Sequence, residues 1–303
     1  MHWLALGWMA LALARSAGAD GPAPPAAPGA ASNSAASAPS GSAFPSEWYQ
    51  PFEPFRVVGN VYYVGARGVS SFFISTPAGA ILLDGGLKET PPLIEKNLGT
   101  LGLRLKDVKV LLNSHAHFDH AGGLAALQKA TGATLVASQG DAPALRAGAA
   151  DQPAVRVDRV VADGDTVELG GVVLTAHVTP GHTAGCTTWT MTVVEAGHSH
   201  PLVFYCSTSV VDRLLNNPRY PSIVTDYERS FASLRSLPCD VFLAPHGDFF
   251  QLAPKRAKQI TGGPNPFIDP AELRRFVDRS EQSFREALAK ERAQPAPVAP
   301  PRT

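Results

Sequence analysis

Three histidines and an aspartate fall within six residues of the segment NSHAHFDHAGG, at positions 113–123. Nine histidines serve the whole chain, so a third of them lie here. His115 and His117 are two residues apart and point to the same side if the segment is extended, whereas Asp119 and His120 can turn toward a second point. Neutral imidazole and carboxylate are common zinc ligands. The pattern favours a metal site over a polar turn with surface histidines.

Two further histidines follow apolar segments that have the character of strands. His182 lies in TPGHTAG after VVLTAHV, and His246 lies in APHGD after VFL. The cluster itself follows the strand-like run VKVLLN. Ligand sites collect at the carboxyl ends of strands, so we expect these three turns to meet. His177 lies within a strand, and His198 and His200 lie in the predicted loop GHSHP, so we expect structural or solvent-exposed roles for them.

Segments rich in Val, Ile, Phe and Tyr alternate with stretches of helical period, which predicts an α/β fold. The segments do not follow one regular βαβ repeat, so we expect two sheet layers with helices outside. The predicted strands are VVGNVYYVG, SSFFIST, AILLDGG, VKVLLN, ATLVAS, the hairpin TVELGGVVLTAHV, TTWTMTV and LVFYC.

Helices are predicted at four places: 92–98, a segment after the histidine cluster with Leu124, Leu127 and Ala130 on one face, 227–237, and the C-terminal segment. Asp269 is expected to cap the last helix, with Pro270 at its first position and Glu272 in capping-box spacing.

The ends of the chain differ in composition from its centre. Residues 1–19 have the features of a signal peptide, with a short apolar run and an A-x-A cleavage site before Asp20, although an uncleaved anchor is the alternative. Residues 20–44 are rich in Ala, Pro and Ser and predict a disordered tether. Residues 45–293 are expected to form the folded domain, and 294–303 a loose tail.

The charge balance gives no sign of a polyanionic partner. Lysine and arginine total 26, as do aspartate and glutamate, so no net field attracts nucleic acid or anionic lipid. We therefore expect no nucleic-acid partner and no stable membrane insertion after signal cleavage. A small-molecule substrate and a monomeric state are further expectations, which the charge balance does not itself establish.

The motifs HAHFDH, GHTAG and APHG, in this order and with LLDGG upstream, resemble those of the metallo-β-lactamase superfamily. The resemblance covers nearly all of the folded domain and implies a four-layer αβ/βα sandwich that holds two Zn²⁺ ions at its sheet edges. It also implies two sets of zinc ligands: His115, His117 and His182 for one ion, and Asp119, His120 and His246 for the other.

Further features narrow the resemblance to subclass B3 of the β-lactamases. Many other hydrolases of the superfamily carry a bridging aspartate in a motif resembling SGD-x-LF, but the matching stretch FYCSTSVV has no acid before Asp212. The first motif ends in histidine, and NPRYPSIVTDYERSF resembles B3 enzymes. The resemblance implies hydrolysis of penicillins, cephalosporins and carbapenems by a metal-bound hydroxide, in the periplasm or outside the cell. The alternatives are a lactone or thioester hydrolase, and an exported binding protein with an inactive fold.

The resemblance also implies roles for single residues. Asp119 would combine its metal contact with a catalytic role. Ser207 and Ser209 match positions that contact the substrate carboxylate, although serines after a strand can simply cap a turn. Asp84 is expected to orient a metal ligand, or else to be a plain turn residue. Some relatives carry a tyrosine that points at the substrate carbonyl. The matching segment VVDRLLN has no tyrosine, and Arg213 is the residue that could substitute for it.

Three cysteines remain, and two of them can pair. Cys186 begins TTWTMTV and Cys206 ends LVFYC. If these strands are antiparallel neighbours, the two Cα atoms can lie within the roughly 4.4–6.8 Å that a disulfide needs. We therefore predict a Cys186–Cys206 bridge, against the alternative of three reduced thiols. Cys239 matches a cysteine that some relatives bridge to the C-terminal helix, which holds no cysteine here, so a buried free thiol is expected.

Overall fold

The computed structural model describes residues 44–293. The predicted signal peptide, the tether up to residue 43 and the tail from residue 294 lie outside the described residues. Phe44, which the sequence assigns to the tether, is packed instead. Its ring centroid lies 5.5 Å from that of Trp48 and 4.6 Å from that of Phe118.

The first sheet has seven strands, which lie side by side in chain order. The first four strands are antiparallel, and the fourth to the seventh are parallel. VVGNVYYVG forms two of these strands rather than one, because the chain reverses at Gly59, whose φ is +49°. The strands are β1 (Phe55–Val58), β2 (Val61–Tyr63), β3 (Phe72–Thr76), β4 (Gly79–Leu83), β5 (Val108–Leu112), β6 (Thr134–Ser138) and β7 (Arg159–Val161).

Helices connect the parallel strands, so this half of the chain does contain consecutive βαβ units. The intervening helices are α1 (Pro91–Thr100), α2 (Phe118–Ala121), α3 (Leu124–Thr131) and α4 (Ala142–Ala147). Leu124 and Leu127 are buried under α3 as predicted. Ala130 is exposed, so its assignment to that face was wrong.

The second sheet has five strands in the order β12-β11-β10-β9-β8, all antiparallel except the pair β11 and β12. His198 and His200 lie in β11 and not in a loop, because a two-residue turn at Ala196 and Gly197 lets the pairing continue to Glu195 and His198. The strands are β8 (Thr166–Leu169), β9 (Val172–Val178), β10 (Thr187–Glu195), β11 (His198–Phe204) and β12 (Val241–Leu243).

Three helices complete the C-terminal half: α5 (Ile223–Ser236), α6 (Leu252–Ile260) and α7 (Glu272–Ala293). The predicted capping box of α7 is absent. Asp269 Oδ1 accepts a hydrogen bond from Ala271 N, but the N–H of Asp269 already donates to Asp240 O at 2.7 Å. The side chain of Glu272 is therefore free to pair with Lys255. The regular helix begins at Glu272 and not at Pro270, and Asp269 caps its start through the bond from Ala271 N.

Alternation along single strands shows how the layers stack. In β4, Ile81 and Leu83 join one core, whereas Ala80 and Leu82 join a second core with residues of α1 and α3. On the other sheet, Phe204 contacts Phe72 of β3. Tyr205 just beyond β11 and Phe242 of β12 contact Phe276 of α7. The two sheets pack face to face with helices on both outer sides, which confirms the predicted αβ/βα sandwich.

The strand ends that precede the histidine turns come from both sheets and meet at one edge. Thr187 N at the start of β10 donates to Ser114 O just after β5, at 2.8 Å. Ser70 N donates to Pro245 O after β12, also at 2.8 Å. Among residues 44–293, no helix combines the length and the apolar character needed to cross a membrane.

Candidate metal centre

Three imidazoles converge at this edge. His182 Nε2 lies 3.0 Å from His117 Nδ1 and 3.1 Å from His115 Nε2. His115 and His117 follow β5, and His182 follows β9, so this group joins the two sheets. Zinc binds imidazole nitrogen at about 2.0–2.1 Å, and one ion can reach all three nitrogens. We call this group the three-histidine cluster.

A second group lies beside it on α2 and after β12. Asp119 Oδ2 is 3.0 Å from His120 Nε2 and 3.4 Å from His246 Nε2. His120 is fully buried, and within the described part of the chain neither ring nitrogen makes a hydrogen bond of good geometry, although Nε2 lies close to the Asp119 carboxylate. A buried nitrogen without a partner is costly unless something binds it. A metal ion at Nε2 would satisfy it, so the donors fit a second metal site.

Asp84 supports the three-histidine cluster through an intermediate residue. Its carboxylate is buried and accepts hydrogen bonds from Ser114 N at 2.7 Å and Ser114 Oγ at 2.6 Å. Ser114 Oγ in turn lies 3.0 Å from His115 Nδ1. If Nδ1 donates to this hydroxyl, Nε2 keeps its lone pair for a metal. The nearer histidine of the second group, His120, has its Nδ1 3.7 Å from Asp84, which is too far for a hydrogen bond.

Two more ligand histidines, His182 and His246, have their Nδ1 atoms within hydrogen-bond distance of backbone carbonyls. His182 Nδ1 lies 2.7 Å from Ser209 O, which also accepts from the Tyr227 hydroxyl at 2.8 Å. His246 Nδ1 lies 3.0 Å from Gly68 O. Donation to a carbonyl leaves Nε2 as the acceptor nitrogen in each ring. Both rings therefore present Nε2 to their group.

Electrostatics keep the imidazoles uncharged. Burial, reinforced by the neighbouring histidines, lowers the pKa of His115, and burial lowers that of His117 as well. Burial also lowers the pKa of His182 to about 3 and that of His246 to about 4. Metal binding requires neutral imidazole, and these four rings have it at neutral pH.

Asp119 and His120 stabilise opposite charges on each other. Burial raises the pKa of Asp119, but His120 and then His246 outweigh it, and the net shift is downward. Burial lowers the pKa of His120, but the Asp119 carboxylate outweighs it and the net shift is upward. Asp119 is therefore an anionic ligand at neutral pH, and a metal ion would have to displace any proton held by His120.

A cleft of about 650 Å³ opens above both groups. Its apolar wall is formed by aromatic and aliphatic side chains, and its floor carries His117, Asp119, His182 and His246. Ser207 and Ser209 line it too, although Ser207 Oγ also accepts a hydrogen bond from Ser209 N at 3.2 Å and so caps the turn. The apolar wall comprises Phe44, Trp48, Phe118, Val211 and Phe249. Among the described lining residues there is no lysine or arginine, and Arg213 is not part of the lining.

A model described as "Metallo-beta-lactamase superfamily" matches residues 64–246. The chain belongs to this superfamily.

Solved metallo-β-lactamases have the same architecture. BJP-1, a subclass B3 enzyme of Bradyrhizobium japonicum, is 42% identical, with a TM-score of 0.79 over 82% of this chain and 97% of that one. FEZ-1 from Legionella gormanii is 38% identical, also at a TM-score of 0.79, over 80% of this chain and 98% of that one. A hydroxyacylglutathione hydrolase of Hyphomonas neptunium is 38% identical over 78 residues, which is 26% of this chain. The match spans only 27% of that hydrolase.

The cysteines of this metallo-β-lactamase fold pair as predicted. Cys186 and Cys206 form a disulfide with Cα atoms 5.8 Å apart. Cys206 Sγ lies 3.7 Å from His115 Nδ1, so the bridge borders the three-histidine cluster. Cys239 is free but only partly buried, which corrects the expectation of a buried thiol. Desolvation raises its pKa to about 12, so it is a poor nucleophile.

Sequence reasoning missed several residues of the site. Ser114 directly precedes the first motif, but its residue type does not indicate its link to Asp84. Phe118, inside the motif, and Phe249 could be placed on the cleft wall only once the loops were assembled. Asp141 lies outside every motif, and its contacts with two ligand loops are visible only in the structure.

Proposed function

We propose that this protein is a subclass B3 metallo-β-lactamase that hydrolyses the amide bond of penicillins, cephalosporins and carbapenems with two zinc ions. The observation that carries the proposal is the pair of ligand groups, each with donors 3.0–3.4 Å apart, on the floor of one cleft. The two solved relatives named above, both metallo-β-lactamases, support it.

The residues present assign the two sites. His115, His117 and His182 would hold one ion, and Asp119, His120 and His246 the other. Bound zinc supplies Lewis acidity and lowers the pKa of water toward neutrality. Asp119 lines the cleft, and its ionised carboxylate can orient an attacking water and accept its hydrogen bond.

The remaining lining residues bind and orient the substrate. The hydroxyls of Ser207 and Ser209 can donate to the carboxylate that β-lactams carry, in a cleft whose described lining holds no basic side chain. Trp48, Phe118 and Phe249 line the same cleft and can pack on apolar substituents, which would exclude water from the reacting bond.

Thioester hydrolysis is the second candidate, because curated hydroxyacylglutathione hydrolases match part of the chain. It is disfavoured by the segment after β11. The first acid there is Asp212, which lies outside the cleft lining, 3.7 Å from Arg219. The segment between β11 and Asp212 therefore supplies no carboxylate at the position of the bridging aspartate of many other hydrolases in the superfamily.

One assay separates the candidates. Purified protein is given a penicillin, a cephalosporin, a carbapenem, a hydroxyacylglutathione thioester and a homoserine lactone, each with and without a zinc chelator. We expect β-lactam hydrolysis that the chelator abolishes and that a clavulanate-type acylating inhibitor leaves intact. Turnover of the thioester or lactone alone, or inactivation by the acylating inhibitor without any response to chelation, would overturn the proposal.

We further propose that the protein acts in the periplasm or outside the cell, where β-lactams are encountered. The features of residues 1–19 and the disulfide between Cys186 and Cys206 support this location, since disulfides persist in oxidising compartments. Fractionation of a producing bacterium tests it, and activity confined to the cytoplasm would contradict it.

A further inference from the structure

Asp141 is a buried carboxylate that contacts two ligand loops at once. It is 4% exposed and immediately precedes α4. Its Oδ2 accepts hydrogen bonds from Ala116 N at 2.9 Å and from Thr183 Oγ1 at 2.8 Å, and its Oδ1 accepts from Gly185 N at 3.0 Å. Ala116 lies between His115 and His117, and Thr183 directly follows His182. One side chain therefore joins both loops of the three-histidine cluster.

Asp141 contacts the two loops instead of capping the helix that it precedes. Aspartate directly before a helix commonly accepts a hydrogen bond from the N–H groups of the first turn. Asp141 makes no such bond to α4. A buried carboxylate must have its oxygens satisfied, and here three donors from distant loops do so.

The contact is also tight. Ser138 Oγ at the end of β6 donates to Gly185 O at 2.6 Å. A Cβ at Gly185 would lie 2.2 Å from Ser138 Oγ and 2.3 Å from Asp141 N, so only glycine fits there. The loop after His182 therefore packs closely against the turn between β6 and α4. It has little room to shift and compensate for a substitution at Asp141.

We propose that Asp141 is a positioning residue for the first metal site, which sets the distance between the loop of His115 and His117 and the loop of His182. The inference rests on the proposed metal centre. Its hydrogen bonds within the described residues go to the loops that carry the ligands and to none of the imidazole rings, so Asp141 acts on the ligands through their loops. Partners that orient metal ligands typically contribute 10–100-fold to metal affinity, and we expect about tenfold here.

The test measures metal affinity in the folded, metal-free protein by titration with Zn²⁺ against a chromophoric chelator. Asp141→Asn replaces one carboxylate oxygen with an amide NH₂ group. This group cannot accept a hydrogen bond, so at least one donor loses its partner. We expect its first site to weaken about tenfold and its second site to change less than twofold. The spectrum of the Co²⁺-loaded variant should change in the bands of the first site.

Two sets of controls accompany it. Asp158→Asn removes a carboxylate that also ties separate segments together, through Leu135 N at 2.9 Å and Gln128 Nε2 at 2.8 Å, but at the opposite end of β6. It should reduce stability to urea without changing either metal affinity. If Asp141→Asn does not fold, Thr183→Val removes a single donor to Asp141, and Thr183→Ser retains it. The valine variant should weaken the first site about threefold, and the serine variant should restore it.

The outcomes separate the inference from the proposed function. Wild-type affinities in Asp141→Asn, or equal weakening of both sites, would overturn the role of Asp141 and leave the metal centre standing. Equal first-site affinities in the valine and serine variants would overturn it too. A wild-type protein without tight zinc binding would refute the metal centre itself, and the inference with it.

Discussion

The indole ring of Trp48 lies 5.2 Å, centroid to centroid, from the imidazole of His246. Trp48 precedes β1, whereas His246 follows β12, so residues far apart in the sequence meet at the cleft. The same indole lies 6.2 Å from the ring of Phe118, beside Asp119. A segment upstream of the first sheet thus forms part of the wall over the proposed second metal site.

Truncation of this wall should weaken substrate binding more than metal binding. Trp48→Ala removes an indole that packs on the cleft but donates no ligand. Loss of about 1.4 kcal/mol of apolar contact corresponds to a tenfold rise in KM. Trp48→Phe should stay within about threefold of wild type, and both variants should retain their zinc. A wild-type KM in Trp48→Ala would show that the wall does not contact substrate.

Metal analysis of the purified protein should find close to two zinc ions per chain. His182→Ala should mainly weaken the three-histidine site, and His246→Ala the site with Asp119 and His120, so each variant should retain about one ion. His198→Ala is the matched control, because His198 is exposed on β11, and it should keep both. One tightly bound ion in wild type, with no loss in either ligand variant, would contradict the two-site assignment.

Thiol titration of the denatured, unreduced protein should find one free group per chain, Cys239. The double variant Cys186→Ser/Cys206→Ser should lower the free energy of unfolding by about 3 kcal/mol, as expected for a loop of this length, since the bridge spans 20 residues. Urea unfolding measures this change. Cys239→Ser serves as the control and should have a much smaller effect. Three free thiols in the unreduced wild type would refute the bridge.

Stability of the metal-free protein should fall as pH is lowered from about 7 toward 4. Burial holds the pKa of His182 at about 3 and that of His246 at about 4, whereas both lie near 6.5 in the unfolded chain. Between these values the unfolded state binds more protons. The free energy of unfolding then decreases by up to about 1.4 kcal/mol per pH unit for each histidine.

Asp84 has the opposite effect on the pH dependence of stability. Burial raises its pKa to about 6, although the nearby His120 partly offsets this rise. His120, Asp141 and Glu272 also have raised pKa values and act in the same direction as Asp84. Five histidines have lowered pKa values and outnumber these groups, so the net slope should keep its sign; they are His115, His117, His177, His182 and His246. Urea unfolding with chelator at pH 7, 6 and 5 measures the slope. His182→Gln should reduce it, and His198→Ala should not. A stability that rises on acidification would show that the histidines are not held neutral.

Much of the site was accessible from the sequence, because its ligands lie in short loops directly after strands. Spacing alone placed His115 and His117 on one side of an extended segment and turned Asp119 and His120 elsewhere. The antiparallel pairing of β10 and β11, and with it the disulfide, followed from the short connection between them. The periodicity of the segments also led to two sheets with outer helices. These are local properties, which neighbouring residues determine.

Only the tertiary structure decided how those loops are held together. That Asp84 supports His115 through Ser114, that Asp141 joins two ligand loops, and that Trp48 covers His246 are contacts between residues far apart in sequence. Long-range packing also overrode a local signal at α7, where the N–H of Asp269 bonds to Asp240 and the capping box does not form. Spacing along the chain determines which side chains of a loop project to the same side. Which nitrogen of a ring faces the metal site depends on partners that the other sheet supplies, and a linear pattern does not encode them.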